Sequence, residues 1–222
     1  EDTVAVMLEL IQGEGGIFMQ DKKEVQRLSK ELEKKKLLLI IDEVQTGVFR
    51  SGNFLMSQYY EITPNIITLA KGLATGIPIG VMMTNLKNIF IQGDHGSTFG
   101  GNHLSTTVSN TVLNILEEYK NKGKLESNIK YFNGYLDYFI KKYPSLFLRK
   151  TGFGLMLGIT LKEKVNLDEI IQLSLKHRIL LLKSGKNILR FLPPLNIRKK
   201  EIKIGFKRFE KVLKELKGKN NG

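Results

Sequence analysis

Residues 37–47 read LLLIIDEVQTG, and residues 66–80 read IITLAKGLATGIPIG. Each stretch starts with an apolar run that is typical of a buried strand, and each run stops at a charged residue. The first run is followed directly by Asp42, and the second is followed, after one alanine, by Lys71. Ligands of open α/β sheets bind outside the carboxyl ends of the strands, so these two residues are candidates for a functional site.

The first half of the chain has the rhythm of a parallel α/β sheet. Val4–Leu10 reads as a strand, and an amphipathic helix follows a capping-box-like pair, Asp21 and Glu24. The apolar run before Asp42 is the next strand, and Ile79–Thr84 reads as a further one. Strand, helix and strand in succession favour a mostly parallel sheet with helices packed on it.

The second half has a different pattern and predicts a smaller α+β domain. Three strands are expected there, with a helix capped at Asn166 between the first two: Leu155–Leu161, Ile179–Leu182 and Ile188–Leu192. We therefore divide the chain into a large domain over residues 1–120 and a small domain over residues 121–222. Because Glu1 lies so close to a buried strand, we expect the chain to be the later part of a longer polypeptide.

Composition narrows the classes of function. The net charge of +13 raises nucleic acid as a partner, but only seven of the 35 basic residues are arginine and no basic arm is visible. We therefore predict no nucleic-acid role, although a basic binder stays an alternative. Cysteine is absent, which excludes disulfides and thiolate chemistry and fits a cytoplasmic protein. The apolar runs are far shorter than the roughly 20 residues of a membrane span, so we expect no membrane partner.

An amine and a carboxylate at neighbouring strand ends suit pyridoxal phosphate chemistry. A lysine forms a Schiff base with the cofactor and needs an unprotonated amine, so it should be desolvated or lie near other positive charge. The apolar run before Lys71 and the glycine-rich turn after it predict that this lysine is buried. A carboxylate such as Asp42 keeps the pyridinium nitrogen protonated, which lets the ring act as an electron sink. The alternatives are a plain surface lysine and an aspartate that caps its strand or binds a metal. A nucleotide hydrolase is disfavoured because no phosphate-binding G-x-x-x-x-G-K-[ST] motif is present.

Five segments together resemble the class III pyridoxal-phosphate-dependent aminotransferases. They are IQGEGG, IIDEVQTG, TLAKGL, HGSTFGGN and ILRFLPPL, and they occur in the order and at the spacings typical of that family. The resemblance implies fold type I, here as an incomplete large domain with a mostly parallel sheet plus a C-terminal α+β small domain. It also implies pyridoxal 5'-phosphate as the cofactor.

The resemblance assigns roles to the residues around the first two strand ends. Lys71 is implied to be the catalytic Schiff-base lysine, and Asp42 the partner of the pyridinium nitrogen. Gln45 is implied to lie near the phenolic oxygen of the cofactor. Glu43 and Val44 complete the segment that lines the cofactor.

Four further residues receive implied roles from the same resemblance. Thr98 resembles the residue that reaches the cofactor phosphate of the opposite subunit, which implies a homodimer, and Ser97 resembles a substrate contact. Glu14 and Arg190 resemble a gating pair, in which the glutamate masks the arginine for one substrate and releases it for the other. Taken by themselves, Ser97 and Thr98 are ordinary loop hydroxyls, and Arg190 is an ordinary strand residue.

The reaction implied is transfer of the terminal amino group of N-acetylornithine to 2-oxoglutarate, which yields glutamate and serves arginine biosynthesis. Ornithine or 4-aminobutyrate as the amino donor is an alternative within the family, as is a catalytically incomplete fragment that serves as an interaction module. Two positions depart from the family pattern: Leu10 stands where proline is usual, and Thr151 where arginine is usual. The resemblance also implies that three features of the family's N-terminal half are absent from this chain: the glycine-rich phosphate cup, the ring-stacking aromatic residue and an arginine for the substrate carboxylate. No metal site is expected from the three histidines, because their spacing lacks a ligand pattern.

Overall fold

The computed structural model describes residues 2–220, which form two compact units. The first unit comprises the chain up to Ile11 together with Gln20–Asn121, and the second comprises Gln12–Met19 together with the chain from Lys122 onward. The sequence analysis placed the domain boundary between residues 120 and 121, and the chain enters the second unit one residue later, between Asn121 and Lys122. The short segment at residues 12–19 was not expected there, since nothing in its local sequence links it to a domain that begins 100 residues later.

The described residues contain ten strands and six helices. The strands are β1 (Ala5–Leu8), β2 (Ile11–Gln12), β3 (Phe18–Met19), β4 (Leu38–Asp42), β5 (Ile66–Leu69), β6 (Val81–Thr84), β7 (Phe147–Phe153), β8 (Met156–Leu161), β9 (Leu182–Ser184) and β10 (Ile188–Phe191). The helices are α1 (Lys22–Lys34), α2 (Met56–Tyr60), α3 (His103–Asn121), α4 (Lys124–Lys142), α5 (Leu167–Lys176) and α6 (Lys199–Asn220).

The sheet of the first unit has the order β1-β4-β5-β6. β1, β4 and β5 run parallel, and β6 pairs antiparallel with β5 at the edge. Helix α1 begins at the predicted cap, where the backbone N–H of Glu24 donates to Asp21 Oδ1 at 3.0 Å. Its apolar face packs on β4 and buries Val25 and Leu32, each of which contributes about 1.5–3 kcal/mol of transfer free energy.

The register of β4 against β5 determines which residues lie side by side at the carboxyl ends of the two strands. Asp42 lies directly opposite Thr68 in the parallel ladder. Neighbouring strands are about 4.8 Å apart, and each residue advances the chain by about 3.3 Å. The residues that follow both strands therefore emerge at the same edge of the sheet, as the two apolar runs predicted.

The second unit is an antiparallel sheet of order β7-β8-β10-β9 with helices packed against it. Its core contains a cluster of phenylalanine rings contributed by α4, β10 and α6, among them Phe139, Phe191 and Phe209. Two sequence expectations need correction here. β7 was not predicted, and the strand expected at Ile179–Leu182 lies instead at Leu182–Ser184. The start of the expected strand belongs to the turn that ends α5, in which the N–H of Ile179 donates to the carbonyl oxygen of Ser174 at 2.8 Å.

Candidate active site

Asp42 is the last residue of β4, and its carboxylate is held in one orientation. Oδ1 accepts hydrogen bonds from the backbone N–H of Val44 at 2.8 Å and from Thr68 Oγ1 at 3.2 Å. Both bonds go to the same oxygen, so Oδ2 stays available to a further donor. Thr68 is a residue that sequence reasoning missed, because its register opposite Asp42 is set by the pairing of β4 with β5.

Lys71 opens a single 3₁₀ turn, Lys71–Leu73, directly after β5. Its backbone has φ +46°, in the left-handed region that residues other than glycine rarely adopt. Such a conformation costs about 1–3 kcal/mol and is concentrated at functional sites, where the surrounding structure enforces it. The turn directs Leu73 and Ala74 into the core and leaves the lysine on the outer side.

The expected burial of Lys71 was therefore wrong for the described residues. Lys71 is exposed, since the apolar residues of its turn face the core and the lysine faces away from it. It lies at the wall of an open cavity of about 620 Å³ that is also lined by Pro78, Phe99 and Gly100. The cavity thus brings together the lysine turn and the glycine-rich loop that carries Ser97 and Thr98.

That loop is shaped by its own polar side chains. Ser97 Oγ accepts a hydrogen bond from the backbone N–H of Gly100 at 2.9 Å, which closes a tight turn. Asn102 caps the start of α3 by accepting from the backbone N–H of Ser105 at 3.0 Å. Thr98 is exposed, and its hydroxyl makes no hydrogen bond to any other described residue. Thr98 is thus free to bind a ligand or another chain, whereas Ser97 Oγ already has one partner.

Glu43 has a structural role that the sequence did not reveal. The residue is 1% exposed, and its carboxylate accepts hydrogen bonds from Thr46 Oγ1 at 2.7 Å and from the backbone N–H groups of Met56 and Ser57 at 2.8 and 2.7 Å. The two backbone donors belong to the first turn of α2, where a carboxylate satisfies N–H groups that have no partner within the helix. Only the backbone of Glu43 is left to line a ligand, and its implied cofactor contact stays a prediction.

Val44 and Gln45 lie in the turn that follows β4 and are half-buried. Val44 contributes its backbone N–H to Asp42, as described above. The Gln45 amide makes no hydrogen bond to another described side chain or backbone group, so it can serve as a donor or acceptor for a ligand. The roles assigned to both residues stay predictions.

The second unit contains the other candidate cluster. Arg190 of β10 donates from Nη1 to Glu14 Oε1 at 2.7 Å and to the carbonyl oxygen of Gly13 at 3.3 Å. The arginine side chain is 11% exposed, whereas that of Glu14 is 77% exposed. Arg190 Nε is buried without a hydrogen-bond partner among the described residues. The structure therefore joins two residues that the sequence could name but not place together.

A model of the family described as aminotransferase class-III matches residues 1–213. The chain belongs to the class III aminotransferase family. The match covers nearly the whole chain, and it includes both candidate clusters.

Among class III aminotransferases, the chain is similar to curated proteins named for acetylornithine. It is 49% identical over 216 residues to the acetylornithine aminotransferase of Wolinella succinogenes, a match that covers 97% of this chain and 55% of that protein. It is 38% identical to the acetylornithine/succinyldiaminopimelate aminotransferase of Buchnera aphidicola, over 96% of this chain and 53% of that protein. The chain thus spans about half the length of the curated relatives that it matches.

Solved class III structures share the fold. An ornithine aminotransferase from Toxoplasma gondii, described with partial occupancy of PLP at its active site, matches with a TM-score of 0.90 at 27% identity, over 98% of this chain and 52% of that one. An N-acetylornithine aminotransferase from Stenotrophomonas maltophilia matches with a TM-score of 0.83 at 29% identity, over 97% and 57%. The predicted fold class, fold type I with a mostly parallel large-domain sheet, is confirmed.

Within residues 2–220, no three side chains of His, Cys, Asp or Glu are grouped so that they could hold a metal ion. No helix in the same range has both the length and the apolar character needed to cross a membrane.

Proposed function

We propose that the protein containing this chain is a pyridoxal-phosphate-dependent aminotransferase that moves the terminal amino group of N-acetylornithine to 2-oxoglutarate. The observation that carries the proposal is the placement of Asp42 and Lys71 at the carboxyl ends of two neighbouring parallel strands. Family membership and the acetylornithine relatives support the choice of reaction. Because the chain spans about half of those relatives, the activity is proposed for the whole protein.

The residues present fit pyridoxal phosphate. Asp42 is fixed through Oδ1, and its Oδ2 is available to a protonated ring nitrogen. Lys71 sits in a strained turn beside an open cavity, where its amine is free to hold the cofactor. When bound, the cofactor supplies a carbonyl carbon for the amino group and a ring that spreads the negative charge developing on the substrate carbon.

Two proton roles follow for this chain's own side chains. Asp42 would keep the ring nitrogen protonated, because a nearby opposite charge favours the charged form of that nitrogen. Lys71, once its amine is released by the incoming substrate, would accept a proton from the substrate carbon at Nζ and return it to the cofactor. Gln45 would bind the phenolic oxygen, while Val44 would line the ring.

The loop at residues 95–102 supports a homodimer. Thr98 is exposed and its hydroxyl has no partner among the described residues, which suits the proposed contact with the cofactor phosphate of a second subunit. Ser97 would contact substrate. A cytoplasmic location is proposed with this assembly, in keeping with a chain that lacks cysteine.

Glu14 and Arg190 would adapt one site to two different amino donors. With the ion pair closed, Arg190 is neutralised and the site suits N-acetylornithine, whose reacting end carries an amine. With the pair open, the guanidinium would bind a carboxylate of glutamate in a bidentate, charge-assisted manner. The ion pair observed at 2.7 Å supports the closed state.

The experiment that tests the proposal uses the full-length protein supplied with pyridoxal phosphate. N-acetylornithine, ornithine and 4-aminobutyrate are each mixed with 2-oxoglutarate, and the glutamate formed is measured. We expect the highest kcat/KM with N-acetylornithine. A preference for ornithine would favour the alternative to which the Toxoplasma gondii neighbour points, and no turnover with any donor would overturn the proposal.

A further inference from the structure

Ser184 joins the second-unit sheet to the loop that carries Glu14. Ser184 is 2% exposed, and its hydroxyl makes two hydrogen bonds at once. It donates to the carbonyl oxygen of Gly13 at 2.7 Å and accepts from the backbone N–H of Gly16 at 3.0 Å. Gly13 and Gly16 lie on either side of Glu14, and both are about 170 residues from Ser184 in sequence. One hydroxyl therefore fixes both ends of the segment from Gly13 to Gly16.

A third contact fixes the backbone of Glu14 itself. The N–H of Gly185 donates to the carbonyl oxygen of Glu14 at 3.0 Å. Gly185 has φ +54°, and a Cβ built on it would lie 3.3 Å from the Cα of Gly16. Glycine at this position therefore permits both the turn after β9 and the close approach of the loop.

Ser184 and Arg190 face the same side of the sheet. β9 and β10 are antiparallel neighbours, with Ser184 opposite Ile188 and Leu182 opposite Arg190. Directly opposed residues project on one face of a sheet, and residues two apart along a strand share that face. The loop that carries Glu14 is thus anchored on the same face of the sheet as the Arg190 side chain.

The anchor matters because the Glu14 carboxylate is mostly in water. An exposed ion pair contributes only about 0–1 kcal/mol, because ordering the side chains offsets much of the attraction. Fixing the backbone in advance removes part of that entropic cost. The pair can then close and open by rotation of the Glu14 side chain alone, while the loop stays in place.

We propose that Ser184 is a positioning residue that holds Glu14 against Arg190 and so sets the balance between the two amino donors. The effect on donors rests on the proposed function, whereas the anchoring of the loop does not. Loss of the hydroxyl is expected to loosen residues 12–19 and to leave Arg190 masked for a smaller fraction of the time. The enzyme should then shift toward glutamate and away from N-acetylornithine.

The first experiment measures hydrogen exchange in the full-length protein without substrate. In Ser184→Ala, the backbone amide of Gly16 loses its acceptor, and its exchange should be about tenfold faster. The matched control is Ser174→Ala, which removes another fully buried hydroxyl from the same unit, one that donates to the carbonyl oxygen of Ile170 at 2.7 Å. Exchange at Gly16 should be unchanged in the control, and an unchanged rate in Ser184→Ala would overturn the proposal.

The second experiment compares kcat/KM for N-acetylornithine and for glutamate. Ser184→Ala should lower the ratio of the two values about threefold to tenfold, the range expected for one lost hydrogen bond, while Ser174→Ala should leave the ratio unchanged. In a Glu14→Ala background, the Ser184 substitution should have no further effect on the ratio, because its action passes through Glu14.

The outcomes separate the two proposals. An equal shift of the ratio with and without Glu14 would show that Ser184 does not act through that residue. Faster exchange at Gly16 in a protein without aminotransferase activity would support the anchor and reject the function. Normal aminotransferase activity with unaltered exchange at Gly16 in Ser184→Ala would support the function and reject the anchor. Ser184→Cys, which replaces the hydroxyl with a thiol that hydrogen-bonds weakly, should resemble Ser184→Ala if the hydroxyl is what matters.

Discussion

Arg190 donates a 2.7 Å hydrogen bond to Glu14 across 176 residues of chain. The arginine is nearly buried and the glutamate is mostly exposed, so the arginine is the fixed partner and the glutamate the movable one. A carboxylate substrate that displaced Glu14 would meet a guanidinium already held in place by the Gly13 carbonyl oxygen. This asymmetry is what a switch at the guanidinium requires.

Replacement of Glu14 should therefore affect the two half-reactions unequally. Glu14→Ala leaves Arg190 uncovered, so the α-carboxylate of N-acetylornithine can settle there in an unproductive position. We expect kcat/KM for that donor to fall about tenfold, equivalent to about 1.4 kcal/mol, while glutamate reacts equally well or better. Stopped-flow absorbance of each half-reaction measures both values. Equal losses for the two substrates would show that Glu14 is structural.

Replacement of Lys71 should abolish transamination. Lys71 follows β5 in a left-handed turn and lines the open cavity, and alanine cannot supply a nucleophilic amine there. Lys71→Ala should lose covalent attachment of pyridoxal phosphate, measured by mass spectrometry after borohydride reduction. Lys87→Ala, at another exposed lysine of the first unit, is the control and should keep both properties. Normal turnover by Lys71→Ala would reject the assignment of the site.

Replacement of Asp42 should slow catalysis without preventing cofactor binding. In Asp42→Asn the bonds from Val44 and Thr68 can persist, but the charge that favours a protonated ring nitrogen is lost. We expect kcat to fall by about three orders of magnitude or more, whereas the absorbance of bound cofactor remains. Thr68→Val, which removes one of the two orienting bonds, should show a much smaller loss. A decrease below tenfold in Asp42→Asn would contradict the electron-sink role.

Local sequence patterns predicted the parts of the fold that depend on local interactions. The runs that end at Asp42 and near Lys71 became adjacent parallel strands, and the caps at Asp21 and Asn166 begin helices as expected. Features that depend on distant parts of the chain were not predictable. The burial of Glu43 comes from donors 13 and 14 residues away, and the contact of Ser184 with the Glu14 loop has no local signature.

In the candidate site, too, local patterns identified residues but did not predict their contacts with distant parts of the chain. The resemblance named Glu14 and Arg190, but only the folded second unit shows that the two side chains meet, at 2.7 Å. Desolvation of Lys71 was inferred from the apolar run before it, and the structure shows that this run buries the strand while the following turn directs the lysine outward. An apolar run thus predicts the burial of its own strand more reliably than the environment of a residue in the turn that follows.

An ion-paired carboxylate in the second unit gives a pH-dependent prediction. Hydrogen bonds from Lys176 at 2.6 Å and from His177 at 2.8 Å lower the pKa of Glu215 below its ordinary value, with the lysine as the larger cause. A pKa that is lower in the folded state stabilises the fold above the unfolded value of 4.5, and this contribution is lost as the pH falls through the folded value.

Glu215→Gln should accordingly lower the melting temperature at pH 7 and have little effect near pH 3, where the wild-type carboxylate is itself becoming protonated. Thermal unfolding followed by circular dichroism across this range gives the comparison. Glu163→Gln, at an exposed loop residue, should leave the melting temperature unchanged at both pH values. A deficit of equal size at pH 3 and pH 7 would show that the charge of Glu215 does not matter.

Glu43 gives the clearest test of structure against ligand binding, because it lies next to Asp42 yet its carboxylate is buried in the fold. Its removal leaves the N–H groups of Met56 and Ser57 and the hydroxyl of Thr46 without their acceptor. Glu43→Ala should lower the free energy of unfolding by about 2–4 kcal/mol, measured by urea denaturation of the cofactor-free protein. Glu163→Ala should change it by less than about 0.5 kcal/mol. If Glu43→Ala instead unfolded at the wild-type urea concentration and bound pyridoxal phosphate more weakly, the carboxylate would belong to the cofactor site and not to the start of α2.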